Sequence, residues 1–207
     1  MGKTTTEITN ERPYIYENIT MFDAVRKSIL SFGEYTDEQL SQLTGHLHHR
    51  TIPQGACIIR EGQVCRSFFF VNAGAFRQYQ VCDDGTEATF NLFIADDWIL
   101  EYKSLVSQKP AATIIEATED SEILELSLLD FHELIRTSDA FFRIGKIFEH
   151  GTRNHDFQNN RLTPEAKYEL LLSSRPELLQ RFSLKIIAAY LGMTPETLSR
   201  IRRRIIS

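Results

Sequence analysis

Apolar and polar positions change their period along this chain. Residues 21–50 place apolar side chains at helical spacing, and Thr36 stands where an N-cap would open the turn DEQLSQL. From Thr51 to Leu128 the pattern becomes short runs rich in Ile, Phe and Val (CIIR, SFFFV, FRQYQV, EATFNLFI, ATIIEA, EILELS), separated by Gly55, Gly62, Gly74 and Gly85. Short runs with glycine turns between them predict an antiparallel sandwich or roll. Asp83-Asp84-Gly85 is a hairpin signal, because Asp and Gly tolerate positive φ. Helical spacing returns near Leu128. Residues 139–160 predict a helix about 33 Å long at ~1.5 Å per residue. On it Phe141, Ile144, Phe148, Gly151 and His155 fall on a 3-4-3-4 seam, which suits pairing with a second helix or burial within one domain. Thr163-Pro164, Ser183 and Thr194-Pro195 then mark the starts of three short helices.

The last two of these have the spacing of a helix-turn-helix. Gly192 can take the left-handed conformation that ends the first helix, and Ala188 is small where the helices cross. Ile187, Leu191, Met193, Leu198 and Ile201 occupy the offsets inside the angle, and Thr194 caps the second helix. That helix presents Glu196, Thr197, Ser199, Arg200 and Arg203 outward, with Arg202 and Arg204 flanking. Residues near the start of such a helix reach base edges in the major groove. Arginine binds guanine O6 and N7 with two hydrogen bonds, and glutamate accepts one from cytosine N4. The later arginines are placed for phosphates, which add affinity without sequence preference. A run of arginines alone would mean a solvated helix end; the packing pattern of both helices turns the reading to DNA.

Charge supports this. The net charge of −5 over 207 residues conceals an asymmetry: from Arg161 onward nine Lys/Arg face four Asp/Glu, +5, leaving −10 for the first 160 residues. A basic segment on an acidic chain predicts a polyanion partner for that segment. With 42% hydrophobic and 25% charged residues the chain reads as globular. No apolar run approaches the ~20 residues that cross a bilayer. Residues 1–20 read as a polar arm without a signal-peptide core, so a cytoplasmic protein without a membrane partner is expected. Cys57, Cys65 and Cys82 have no CxxC spacing and read as reduced thiols flanking strands.

A glycine-punctuated roll, a long helix and a C-terminal helix-turn-helix together resemble the Crp/Fnr family of bacterial transcription regulators. The stretches that carry the resemblance are PQGACIIREGQVCRSFFFVNAGAFRQY, DDGTEATFNLF, EATEDSEILEL and YLGMTPETLSRIRRR. It implies an α+β architecture: an N-terminal arm over 1–20 and a cyclic-nucleotide-binding-like β-roll (a double-stranded β-helix) over 21–138. A dimerisation helix over 139–160 and a helix-turn-helix domain over 161–207 would follow. It also implies a homodimer joined through Phe141, Ile144 and Phe148, with RNA polymerase as a further partner. Near-palindromic DNA is implied as well. Glu196, Ser199 and Arg200 match the Glu-x-x-Ser-Arg pattern of the Fnr branch, whose half-site is TTGA-like.

Nucleotide-binding members carry Gly-Glu-Leu and, about ten residues later, an arginine for the phosphate. The matching stretch here is DDWILEYKSLVSQKPAA. Glu101 matches the ribose-binding acid, but Leu100 replaces the glycine and Pro110 or Ala111 the arginine; Lys103 and Lys109 are out of register. Cyclic AMP is therefore not expected as effector, and no cofactor is expected. Trp98, Glu101, Tyr102 and Lys103 form the candidate pocket for any other effector. His46, His48 and His49 invite a metal reading. They precede the first predicted strand and no acid lies near before Glu61, so they read as surface histidines and no metal is expected. No Ser/His/Asp arrangement, paired-acid spacing or phosphate loop is recognisable, and no enzyme is expected. Two functions stand: a sequence-specific DNA-binding regulator, or an effector-binding module whose DNA-binding half is secondary.

Overall fold

The computed structural model describes residues 14–148 and 162–206. Helices α1 (Tyr14–Leu30) and α2 (Asp37–Gly45) come first. The strands follow: β1 (His48–Ile52), β2 (Cys57–Ile59), β3 (Ser67–Ala73), β4 (Ala75–Val81), β5 (Glu87–Ile94) and β6 (Trp98–Ile99). Helix α3 (Tyr102–Ser107) precedes β7 (Ile114–Ala117) and β8 (Ser121–Ser127), and α4 (Leu128–Thr137) closes this part of the chain. The strands make two four-stranded antiparallel sheets, ordered β1-β8-β3-β6 and β2-β7-β4-β5. This is the predicted roll.

The run SFFFV is buried at every position from Ser67 to Val71, because β3 is covered on both faces. Phe76, Ile115 and Leu124 belong to the same core, as do Val25 and Ile29 of α1 and Phe131 and Leu134 of α4. Gly74 turns the chain from β3 into β4 at φ +94°, and a Cβ there would stand 2.6 Å from Ser121 Cα. In the β4–β5 hairpin the Cys82 amide donates to Thr86 O, and Asp84 accepts from the Thr86 amide.

Three boundaries differ from the sequence pattern. Helix α1 begins at Tyr14, inside the segment read as an arm, since a helix anchored by Val25 and Ile29 extends backward more cheaply than a new one nucleates. Strand β1 begins at His48 rather than Thr51, drawn in by pairing with β8 through Glu125. Of the helix predicted over 139–160, the first part, Asp139–Lys146, is a 3₁₀ helix, Ile147 and Phe148 continue it as α-helix, and the rest lies outside the described residues. The three-residue turn puts Phe141, Ile144 and Ile147 on one stripe, and all three are fully buried in the roll's core. Phe148 packs edge-on to Phe68 at 5.6 Å and Tyr102 at 5.9 Å. The seam residues Phe141 and Ile144 thus face the chain's own core, not a second copy; Gly151 and His155 lie outside the described residues. Lys146 Nζ, 2.7 Å from Phe32 O, and the Arg143 guanidinium on Glu34 O tie the 3₁₀ helix to the end of α1.

The C-terminal unit has four helices: α5 (Pro164–Ser174), α6 (Pro176–Arg181), α7 (Leu184–Leu191) and α8 (Pro195–Ile206). Helix α6 is additional to the three expected, although Pro176 at its first turn was a readable start signal. Tyr168, Leu171, Leu178, Leu191 and Ile201 form a second core that also takes in Ala75 and Leu92 from the roll. The unit therefore sits against β5 through shared apolar packing.

Candidate nucleic-acid interface

Helices α7 and α8 meet as the spacing predicts. Gly192 lies at φ 67°, ψ 39°, and the Met193 amide donates back to Ala188 O at 2.9 Å, closing the end of α7. Ala188, Ile187, Leu191, Leu198 and Ile201 are all buried in the angle. Thr194 caps α8, its Oγ1 accepting from the Thr197 amide at 3.2 Å. The Glu196 carboxyl is held below the usual carboxylate range by its own backbone amide and by the Thr194 hydroxyl, so it is an acceptor at neutral pH.

With Leu198 and Ile201 turned inward, the opposite face of α8 is polar. Thr194, Glu196, Arg200, Arg203 and Arg204 are exposed, while Thr197, Ser199 and Arg202 are half-buried. Glu196, Arg200 and Arg203 recur at i, i+4 and i+7 and so share one face. Arg200 Nη2 lies 3.3 Å from Thr197 Oγ1 and Arg203 Nη2 3.4 Å from Ser199 Oγ, contacts that lay both guanidinium groups along the helix. Arg204 pairs at 3.3 Å with Glu165 of α5. Other cations of the basic segment have structural posts. Lys167 is buried, its Nζ donating at 3.2 Å to Leu191 O at the end of α7. Arg175 pairs with Asp97 and Arg181 with Glu119, both across to the roll.

The four residues read as an effector pocket take different posts. Trp98 is buried beneath α1, its indole N–H donating to Ser28 Oγ at 2.9 Å and its ring edge-on to Phe70 at 5.2 Å. Glu101 is buried as the N-cap of α3, accepting from the Ser104 amide at 2.6 Å. Tyr102 leans on Phe148, and Lys103 is exposed. Leu100 and Ala111 are buried, and Ala111 exchanges backbone hydrogen bonds with Gln63 and Gly62. The Ser104 hydroxyl bridges the Cys65 amide and Lys109 O. The segment satisfies its own polar groups.

A cavity of about 1040 Å³ lies elsewhere, between the roll and α7, lined among others by Arg77, Glu87, Glu116, Thr118, Lys185 and Met193. Arg77 there is paired with Glu87 and Glu116 and stands 4.0 Å above the Tyr79 ring. No local motif signals this cavity, because its walls come from distant parts of the chain. The cysteines are free; Cys65 is buried, which pushes its thiol pKa up, Cys57 is half-buried and Cys82 exposed. The histidines depart from expectation. His48 and His49 lie within β1, and the fold brings acids to them: Asp130 to His46, and Glu122 to His49 at 3.3 Å.

Comparison with known proteins fits this architecture. The family model for the cyclic nucleotide-binding domain matches residues 49–138, from β1 through α4. No curated protein sequence matches the chain significantly. Among solved structures, a CooA variant from Carboxydothermus hydrogenoformans is 18% identical, with a TM-score of 0.62 over 86% of this chain and 82% of that one. The c-di-GMP-responsive global regulator CLP from Xanthomonas campestris is 19% identical, with a TM-score of 0.58 over 82% of this chain and 91% of its own. The catabolite activator protein of Thermus thermophilus is 22% identical, with a TM-score of 0.54 over 86% of both chains. The chain is a mixed α/β protein whose residues 49–138 are similar to the cyclic nucleotide-binding domain and whose fold is that of these three regulators. Among the described residues no helix is long and apolar enough to cross a membrane.

Proposed function

We propose that this protein is a sequence-specific DNA-binding transcription regulator of the Crp/Fnr type whose β-roll does not take cyclic AMP. The observation that carries this reading is the exposed Glu196–Arg200–Arg203 face of α8 on a correctly packed helix-turn-helix. Thr194, Thr197 and Ser199 flank that face, and Arg202 and Arg204 lie at its rim for phosphates. The site is near-palindromic with TTGA-like half-sites and is read by a homodimer in the cytoplasm, where RNA polymerase is a further partner. Self-association in this reading uses the outer side of the 3₁₀ helix, where Phe142 is 61% exposed beside the buried Phe141.

Rejection of cyclic AMP rests on Leu100, Ala111 and the capped Glu101, which leave neither a phosphate cradle nor a free ribose acid. The second reading, a regulator answering to another small molecule, draws on the cavity between roll and α7. Selection of duplex DNA from a random pool, paired with calorimetric titration of cyclic AMP, tests the proposal. An enriched palindrome with no nucleotide binding tighter than about 10 μM, roughly −7 kcal/mol, is expected. Failure to enrich any sequence, or tight cyclic AMP binding, overturns it.

A further inference from the structure

A second cluster of chemistry lies away from both the DNA face and the nucleotide segment. His46 caps the end of α2 and His48 opens β1, while Asp130 and Glu133 stand three residues apart on α4. The fold brings them together: His46 Nδ1 is 3.1 Å from Asp130 Oδ1, and His48 Nε2 is 3.9 Å from Asp130 Oδ2. One donor atom each from His46, Asp130 and Glu133 lies within 4.8 Å of the others. Bonds of about 2.0–2.2 Å to an ion such as Zn²⁺ put neighbouring donors about 3–4 Å apart. The cluster needs only small side-chain movements to reach that spacing.

We propose that His46, Asp130 and Glu133, with His48 as fourth donor, bind one divalent first-row transition ion. Two imidazoles and two carboxylates without sulfur suit Zn²⁺, Co²⁺ or Ni²⁺, whereas Mg²⁺ and Ca²⁺ take oxygen-only shells. The Ser127 hydroxyl donates to Asp130 Oδ2 and turns Oδ1 toward His46, the kind of outer contact that orients a ligating carboxylate. The side chains of His46 and Asp130 are 30% and 25% exposed, so an ion reaches them from solvent. Bound there, it clamps the α2–β1 corner to α4, alongside the Gln39–Ser138 hydrogen bond of 3.0 Å. Its effect therefore falls on the start of the 3₁₀ helix.

The test is calorimetric titration of the full, untagged chain with Zn²⁺ in the presence of excess Mg²⁺, followed by melting curves with and without Zn²⁺. One ion per chain is expected, with a raised melting temperature. His46→Ala and Glu133→Gln should each weaken binding at least ~tenfold, the scale of a disturbed ligand set. Glu133 is exposed, so its substitution leaves the fold intact. Binding that both variants leave unchanged would mean an adventitious ion only and would overturn the proposal, as would a melting temperature indifferent to Zn²⁺.

Discussion

Arg175 Nη2 stands 2.8 Å from Asp97 Oδ2, joining the α5–α6 turn of the C-terminal unit to the loop between β5 and β6 of the roll. Asp97 also accepts from the Ile94 amide, and Arg175 also pairs with Glu177 at 2.7 Å. Burial raises the Asp97 pKa, opposed by the guanidinium beside it. Arg175→Ala leaves that carboxylate without its cation and should cost about 2–4 kcal/mol. Asp97→Asn, which removes the buried charge, should cost clearly less. Urea denaturation of the two variants gives the comparison, and limited proteolysis should find Arg175→Ala cut more readily than the wild type. Equal costs would show that the ion pair is not what holds the units together.

Ile144 and Phe142 separate the core from the outer side of the 3₁₀ helix. Ile144→Glu places a charge among fully buried apolar side chains and should destabilise the roll by more than about 4 kcal/mol. Phe142→Glu, at an exposed position, should leave the melting temperature nearly unchanged while sedimentation shifts toward monomer. A Phe142→Glu protein that sediments like the wild type would remove the 3₁₀ helix from the dimer contact.

On DNA the two ends of α8 should behave differently. Arg200→Ala should cost about 1–3 kcal/mol and relax preference at one base position. Arg204→Ala should weaken binding to every sequence alike and flatten the salt dependence, as for a lost phosphate contact. Its pairing with Glu165 on an exposed surface contributes little, so Glu165→Gln should hardly change stability and should raise DNA affinity slightly. Sequence-independent losses of equal size at Arg200 and Arg204 would reduce Arg200 to a phosphate contact.

Tyr79 should give the roll an alkaline limit. Its phenol donates to Glu116 Oε2 at 2.8 Å, and burial, with that hydrogen bond, pushes its pKa up to about 12 from an ordinary 10.0. A raised folded pKa means the folded state holds the proton more tightly than the unfolded one. The contribution is therefore complete below pH 10.0 and disappears as pH rises toward about 12. Stability measured across that window should fall in the wild type and less steeply in Tyr79→Phe. Parallel curves would place the titrating group elsewhere.

The sequence by itself determined the roll, the caps and the helix-turn-helix, because each rests on neighbours close along the chain. Thr36 and Thr194 cap through amides three residues on, Gly192 has the freedom its φ requires, and β3 announces its two-sided burial in five consecutive residues. Tertiary structure alone decided which side of a helix faced what. Phe141 and Ile144 fit a seam for a partner and a stripe for the roll equally well until the three-residue turn brought Ile147 into line and the roll took all three. Likewise, His46 lies 84 residues from Asp130, and Arg175 lies 78 from Asp97. An ion pair or ligand set of that separation leaves no periodicity to read, since side-chain charge acts over a few ångströms of space that only the packed core fixes.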